Sequence, residues 1–444
     1  MSDIESRWSA VRPSRFVDFL NRPLSNLWCV IGWLVASSLF GLLTRLAGGV
    51  TTSDAFVTVN SSLAIAHGNL SCAYPPQNTV GGNPLAPPLY PLISGGLSAL
   101  FRIGHALPFP SAANLGPHCS HAFAAIGNWI VPTGALFSVV IIGYVGWIFL
   151  AIGVVALLRA SGRGRCGWEP ITLAAVACTP PVIMCLNEYF HPQDLIALGL
   201  SLGALASVFR QRWLVAGVLL GLAFTSQQFS LLIAIPLFFT APRAVLTRLA
   251  SGFLAAIAII DVPVIFITSA RSLKAIFLGT GVNTKSATWL VQLHWSGNVL
   301  YALSRSLPLV IAIALALWTR RRGSLSTEPV ALLSLVATSL ALRLVFEINL
   351  WGYYFMAVAV VLIVRQAVRS QINWWFVAWL ALLTYAAIDG GLSNRPALAP
   401  LPVSLWQLIL VPWAMALSWG PLREFARHRS DSDEKNTKPS RIAE

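Results

Sequence analysis

Residues 213–240 read WLVAGVLLGLAFTSQQFSLLIAIPLFFT, and the reading of this stretch decides the architecture. A single helix through it would put Arg212 and Arg243 on opposite sides of a membrane and invert everything that follows. Two half-length helices meeting at Thr225, Ser226, Gln227 and Gln228 would return the chain to the side it came from. The second reading is preferred. Four consecutive polar residues facing lipid are costly, but they are tolerated where they line a cavity inside the protein.

The rest of the chain is of the same kind. Of its 444 residues, 56% are hydrophobic and 10% charged, and the mean hydropathy is +0.71. Soluble domains carry about 25% charged residues, and their surface-to-volume scaling demands more polar cover than this sequence holds. A soluble enzyme, a secreted disulfide scaffold and a disordered chain are excluded. A hydrocarbon core of ~30 Å needs about 20 apolar residues per helix. Apolar segments lie at 27–46, 129–158, 171–187, 194–209, 213–224, 229–240, 249–268, 299–318, 329–346, 353–364, 374–388 and 401–419. They predict an all-α polytopic bundle of about 12 spans with both termini on the same side. Residues 1–26 form a cytoplasmic N-terminus and 27–419 a transmembrane domain whose first outer loop is 47–128. Residues 420–444 form a basic, disordered cytoplasmic tail. No short apolar stretch with a small-residue cleavage site opens the sequence, so no removable signal peptide is expected. No repeat of fixed period is present.

The net charge of +14 suggests nucleic acid at first sight, but the distribution of the basic residues does not. They stand in twos and threes between apolar runs, as the positive-inside rule requires. All but eight of the 30 fall in the segments assigned to the cytoplasmic side; the exceptions are Arg45, Arg102, Arg271, Lys274, Lys285, Arg305, Arg343 and Arg395. Six of seven histidines (His67, His105, His118, His121, His191 and His294) fall on the other side, with only His428 inside. Chemistry is therefore expected at the extracytoplasmic face. No Walker A motif or dinucleotide fingerprint points to a nucleotide.

Four places there carry candidate chemistry. Asp54, a few residues after the first span, is either a carboxylate base at the mouth of a membrane cavity or part of a helix N-cap before residues 56–67. The link Asn187, Glu188, Tyr189, Phe190, His191, Pro192, Gln193, Asp194 holds two acids and a histidine, without the spacing of a zinc motif; Asp194 also suits a helix cap. Arg343 and Glu347, spaced i, i+4 before Asn349, Trp351, Tyr353 and Tyr354, form an intramembrane ion pair. Ionisable groups at that depth are functional-site candidates by default. The loop 269–298 carries Arg271, Lys274, Lys285 and His294 with no acid; it suits a phosphate head group, or it is a solvated loop. Cys72 and Cys119 share the first outer loop and either form a disulfide or remain separate. Residues 92–103 fit a helix lying in the outer interface.

The arrangement resembles the GT-C superfamily of integral-membrane glycosyltransferases. More narrowly, it is similar to the glycosyltransferase family 87 type, the bacterial polyprenyl-phosphate-mannose-dependent mannosyltransferases. The likeness is carried by Asp54 after the first span and by AIAHGNL at 64–70 leading to Tyr74 and Pro75. It is carried also by Pro87, Pro88 and Leu89, and by RWLVAGVLLGLA at 212–223 followed by Gln227 and Gln228. Two departures stand out: Val57, Thr58 and Val59 where many relatives have a tyrosine, and Ser53 in place of a second acid before Asp54.

The resemblance implies a sugar donor carried on polyprenyl phosphate, a lipid-linked or cell-envelope glycan acceptor, a plasma-membrane location and no cofactor. It implies Asp54 as general base. It also implies a sugar cavity lined by the 188–194 turn and the Gln227–Gln228 break, with Arg271, Lys274, Lys285 or His294 receiving the phosphate. The remaining substrate-binding candidates are His191, Gln193, Arg343, Glu347 and Tyr353. Membrane lipids are the other expected partners. A transporter or flippase of a lipid-linked saccharide is the main alternative, since broken helices with midplane polar residues suit it too; a non-catalytic assembly protein is the third.

Overall fold

The computed structural model describes residues 15–47, 61–62, 64–66, 68–74, 86–103, 133–273, 286–321, 328–393 and 401–437. Among them the fold is all-α. The main helices are α1 (Asn26–Leu46), α2 (Leu89–Ile103), α3 (Thr133–Ala160), α4 (Trp168–Ala177), α5 (Pro180–Asn187), α6 (Pro192–Phe209) and α7 (Trp213–Ser226). They continue with α8 (Leu231–Thr240), α9 (Arg243–Ile267), α10 (Gly297–Arg320), α11 (Pro329–Phe346), α12 (Met356–Arg369), α13 (Trp374–Ile388) and α14 (Val403–Thr437). Among the described residues, the apolar segments expected from the sequence are built mainly of helix. Among the described residues, eight helices are long and apolar enough to cross a membrane, or nine if the bent α4–α5 pair is one span. The half-length pair α7 and α8, and the 15-residue α13, fall below that length.

The decisive stretch breaks at Gln227, whose backbone is extended (φ −160°, ψ 138°), and a short 3₁₀ turn at Gln228–Ser230 leads into α8. The direction of the next helix settles what the break does. Along α7, a Cβ on Gly217 would collide with the Leu249 carbonyl, and one on Gly221 would meet the Phe253 carbonyl and Ala256. Gly252 in turn lies against Leu214 and Val218. Both helices advance together, so α7 and α9 run parallel. The chain must therefore come back through α8 before α9 begins, and Arg212 and Arg243 lie at the same end of the bundle. Glycine at these positions lets the two backbones approach where any side chain would hold them apart.

The arginine-rich links gather at that end. Leu24 N–H bonds to the Arg165 carbonyl, Arg163 reaches the Val368 carbonyl, Arg320 reaches the Phe239 carbonyl, and Arg369 pairs with Glu424 at 3.9 Å. Helices α6, α11 and α12 form the buried centre, while α1, α9 and α10 show most of their apolar surface to the outside, as lipid-facing helices do.

Two details differ from the sequence reading. The expected span 171–187 is bent by 53° between α4 and α5. Pro180 and Pro181 start α5 because proline lacks the N–H that a continuing helix would need. The last helix does not end at residue 419 but runs to Thr437 through Gly420 and Pro421, so the expected boundary at 420 is not a helix terminus. Pro421 deprives the Leu417 carbonyl of its helical donor. Arg365 Nη1 supplies one at 2.8 Å, and its contact with Ser334 Oγ at 3.3 Å ties α11, α12 and α14 together.

Candidate functional site

At the end opposite the arginine-rich links, three segments far apart in sequence converge. The first is the α5–α6 turn. Its backbone is closed by Glu188 and Tyr189 N–H bonds to the Met184 carbonyl and by a His191 N–H bond to the Cys185 carbonyl. Phe190 sits at φ 52°, an uncommon conformation for a bulky residue, which turns the chain sharply before Pro192 opens α6. Glu188, His191, Gln193 and Asp194 are all buried by this turn. Gln193 Nε2 donates to His191 Nδ1 at 2.9 Å, which leaves the ring proton of a neutral His191 on Nε2.

The second segment is the apex of the α7–α8 hairpin. Gln227 Nε2 donates to Asp194 Oδ1, and Ser226 Oγ donates to the Gln193 carbonyl at 2.9 Å. The polar residues that broke the helix are therefore met by the first turn of α6 instead of lipid. Gln228 contributes its N–H to Gln227 Oε1 at 3.1 Å, which closes the turn.

The third segment is the end of α11 and the link to α12. Arg343 Nε donates to Glu347 Oε2 at 3.0 Å. Its guanidinium lies 4.9 Å from the Tyr354 ring centroid and 5.7 Å from that of Phe229 on the hairpin, within cation–π range of both. Arg305 of α10 reaches the same Glu347 oxygen at 3.6 Å. Tyr353 stacks on His191 at 4.6 Å and meets Tyr189 at 4.7 Å, and Trp351 flanks Tyr189 at 5.4 Å.

The end of α11 is held from outside. Helix C-termini leave carbonyls without donors, and here Gln407 Nε2 donates to those of Leu344 (2.6 Å) and Val345 (3.0 Å), joined at Val345 by Trp289 Nε1 (2.8 Å). Thr288 Oγ1 donates to the Glu347 carbonyl at 2.6 Å, and Leu350 N–H to the Ser286 carbonyl at 3.0 Å. Residues 286–289 of the basic loop are thus sewn onto the link that carries Glu347.

Several buried polar atoms here have no hydrogen-bond partner among the described residues: the acceptors Asn187 Oδ1 and Gln193 Oε1, and the donor Arg305 Nε. Unmade hydrogen bonds of buried groups cost about 1–3 kcal/mol each. The turn that holds Asn187, Glu188, Gln193 and Asp194 is rich in acceptors, while α10 and α11 supply guanidinium donors. Among the described residues no three His, Cys, Asp or Glu side chains gather into a metal-ligand group.

Glu188, His191, Gln193, Asp194, Gln227, Gln228, Arg343, Glu347 and Tyr353, all expected from the sequence, belong to these three segments. Arg271 lies elsewhere: its Nε donates to the Thr268 carbonyl (2.7 Å) and its Nη2 to the Ser71 carbonyl (3.0 Å), tying the first outer loop to the end of α9. His294 is exposed at the end of a 3₁₀ turn. Asp54, Lys274, Lys285 and Cys119 lie outside the described residues. Cys72 is disulfide-bonded, whereas Cys29, Cys166, Cys178 and Cys185 are free thiols. Tyr74, two residues on, is buried with its hydroxyl donating to the Ala86 carbonyl at 2.9 Å. Burial, with a smaller contribution from Asp261, pushes its phenol well above the usual tyrosine range.

Asn187 and Tyr189 were visible in the sequence as members of the 187–194 link without a role of their own, whereas Arg305 and Asp261 were not singled out as site residues. Arg305 was visible as one of the eight bases that break the charge bias. Asp261 was visible as an acid inside an apolar run; it is buried on the lipid-facing α9 with Oδ1 unpartnered among the described residues. No family model and no curated protein matches the chain.

Proposed function

We propose that this chain is an integral-membrane glycosyltransferase that moves a hexose or pentose, mannose included, from a polyprenyl-phosphate donor to a lipid-linked or cell-envelope glycan. The reaction takes place at the extracytoplasmic face of a bacterial plasma membrane. The observation that carries this reading is the convergence of buried acceptors (Asn187, Gln193, Asp194) with aromatic faces (Tyr189, Trp351, Tyr353) at one end of an apolar helical bundle. Hydroxyl donors and the C–H faces of a sugar ring are what such a surface accepts. The resemblance to GT-C enzymes in the Asp54, 64–70 and 212–223 motifs supports the same class.

In this reading Asp54 takes the proton of the acceptor hydroxyl as that oxygen attacks the anomeric carbon. The bond from that carbon to the phosphate oxygen breaks, the configuration inverts, and the polyprenyl monophosphate leaves with its electron pair. The donor is already activated, so no nucleotide is consumed. Positive groups near the leaving phosphate stabilise the charge it gains; Arg271, Lys274, Lys285 and His294 are the loop candidates.

The test is Asp54→Asn in full-length protein supplied with a polyprenyl-phosphate sugar and an acceptor. Transfer should fall by roughly two to four orders of magnitude while folding is unchanged. Normal transfer would remove Asp54 from the mechanism. A flippase is the second reading, favoured by the half-length hairpin meeting at polar residues. It would move lipid-linked sugar across vesicles without forming a glycosidic bond. Glycolipid and cell-wall glycan profiles of a deletion strain would identify the sugar.

A further inference from the structure

Two arginines share Glu347, and they share it unequally. Arg343 makes the short contact, Nε to Oε2 at 3.0 Å, and its guanidinium lies over the rings of Tyr354 and Phe229. Arg305 makes only the longer contact to the same oxygen, at 3.6 Å. Its side chain is 35% exposed, and its buried Nε has no hydrogen-bond partner among the described residues. A guanidinium offers five donors in a planar fork matched to phosphate oxygens. Arg343 holds Glu347 through a short Nε bond and lies over two rings; Arg305 holds it only through the longer contact. Arg305 also stands on α10, one of the helices most open to the lipid side, eight residues below its outer end.

The opposite part of the site has the complementary shortage. Asn187 Oδ1 and Gln193 Oε1 are acceptors without donors, and Glu188 and Asp194 beside them would repel an anion. A ligand with hydroxyls at one end and a phosphate at the other fits such a site in one direction only.

Resting on the lipid-phosphate-sugar reading above, we propose that Arg305 binds the phosphate of the donor and of the departing lipid monophosphate, and that Glu347 is its internal stand-in. When the anion arrives, Arg305 exchanges the long Glu347 contact for the phosphate oxygens, and Glu347 stays paired with Arg343. The sugar then lies toward Asn187 and Gln193, over Tyr353 and His191. The exchange is non-covalent and keeps the charge balance: the phosphate replaces a carboxylate at Arg305 that Arg343 still neutralises. This moves the phosphate contact away from Arg271, whose Nε and Nη2 already serve backbone carbonyls.

The experiment measures binding of polyprenyl monophosphate, polyprenol and inorganic phosphate to the full-length protein in nanodiscs, by thermal shift and by direct titration. Polyprenyl monophosphate should bind far more tightly than polyprenol. Arg305→Gln should weaken that binding roughly tenfold or more. Arg305→Lys should fall between the two, because an ammonium keeps the charge but not the fork. Glu347→Gln should bind the lipid phosphate at least as tightly as the wild type. Inorganic phosphate should compete only weakly; competition as strong as that of the lipid phosphate would overturn the lipid assignment. Wild-type affinity in Arg305→Gln, or equal binding of polyprenol and its phosphate, would overturn the site. Each variant's unfolding temperature is recorded first, and Arg305→Lys stands in if Arg305→Gln does not fold. The two readings fail separately. Arg305-dependent anion binding without any sugar transfer by the wild type would refute the transferase and keep the site. Sugar transfer with Arg305-independent binding would do the reverse.

Discussion

Arg343 and Arg365 stand on neighbouring helices at opposite ends of the bundle, Arg365 buried and Arg343 partly so, and they solve different problems. Arg365 has no carboxylate among its hydrogen-bond partners. It gives Nη1 to the Leu417 carbonyl that Pro421 left without a donor, and to Ser334 Oγ. It mends a backbone defect and holds three helices together. Arg343 meets a carboxylate, two aromatic faces and, through Glu347, a second arginine. That arrangement is more than closing a helix end requires. A buried charge that satisfies a carbonyl belongs to the scaffold. A charge whose counter-ion is shared with a half-satisfied partner is what the proposed donor site is built on.

The contrast breaks or sharpens under substitution. Arg343→Leu should have the largest effect. It leaves Glu347 buried with only the long Arg305 contact, and removing one partner of a buried pair costs about 3–5 kcal/mol. Thermal unfolding in detergent should show the loss, and transfer should vanish in whatever protein remains folded. Arg365→Met should cost less, about 1–3 kcal/mol for the exposed want of a donor at Leu417, with activity per folded molecule unchanged. Adding Pro421→Ala restores the helical N–H to Leu417 and should recover most of the loss; a double-mutant cycle reads the coupling directly. If the two changes simply add, the repair role of Arg365 is wrong. Asp261→Asn should have the smallest effect. It replaces a buried carboxyl with an unpartnered oxygen by a neutral amide, and should leave stability unchanged or raised by up to about 1 kcal/mol. Loss of transfer in that variant would move Asp261 into the class of Arg343.

Much of the frame could be read along the chain. Apolar runs set the helices, because hydrocarbon leaves the backbone no partner but itself. The break at Gln227 was readable because four polar residues interrupt an otherwise unbroken apolar stretch. The bend before α5 was readable too, in Thr179, Pro180 and Pro181, but was hidden inside a run of the right total length. The passage of α14 through Gly420 and Pro421 was not: both residues ordinarily stop helices, and only Arg365, 56 positions earlier in sequence, makes the proline acceptable at that point. The candidate site was legible as three separate clusters. That they form one site, and that Arg305 joins it from a fourth helix, was not.

The sequence by itself determined an all-α, membrane-type chain and which links carry the arginines, since length, hydropathy and charge bias are properties of single segments. Only the tertiary structure decided that α7 and α9 run parallel, that Asp194 meets Gln227, and that Glu347 lies between Arg343 and Arg305. Those facts depend on which helix faces which. In a bundle whose surfaces are all apolar, hydropathy does not distinguish one neighbour from another; glycine contacts and buried hydrogen bonds do.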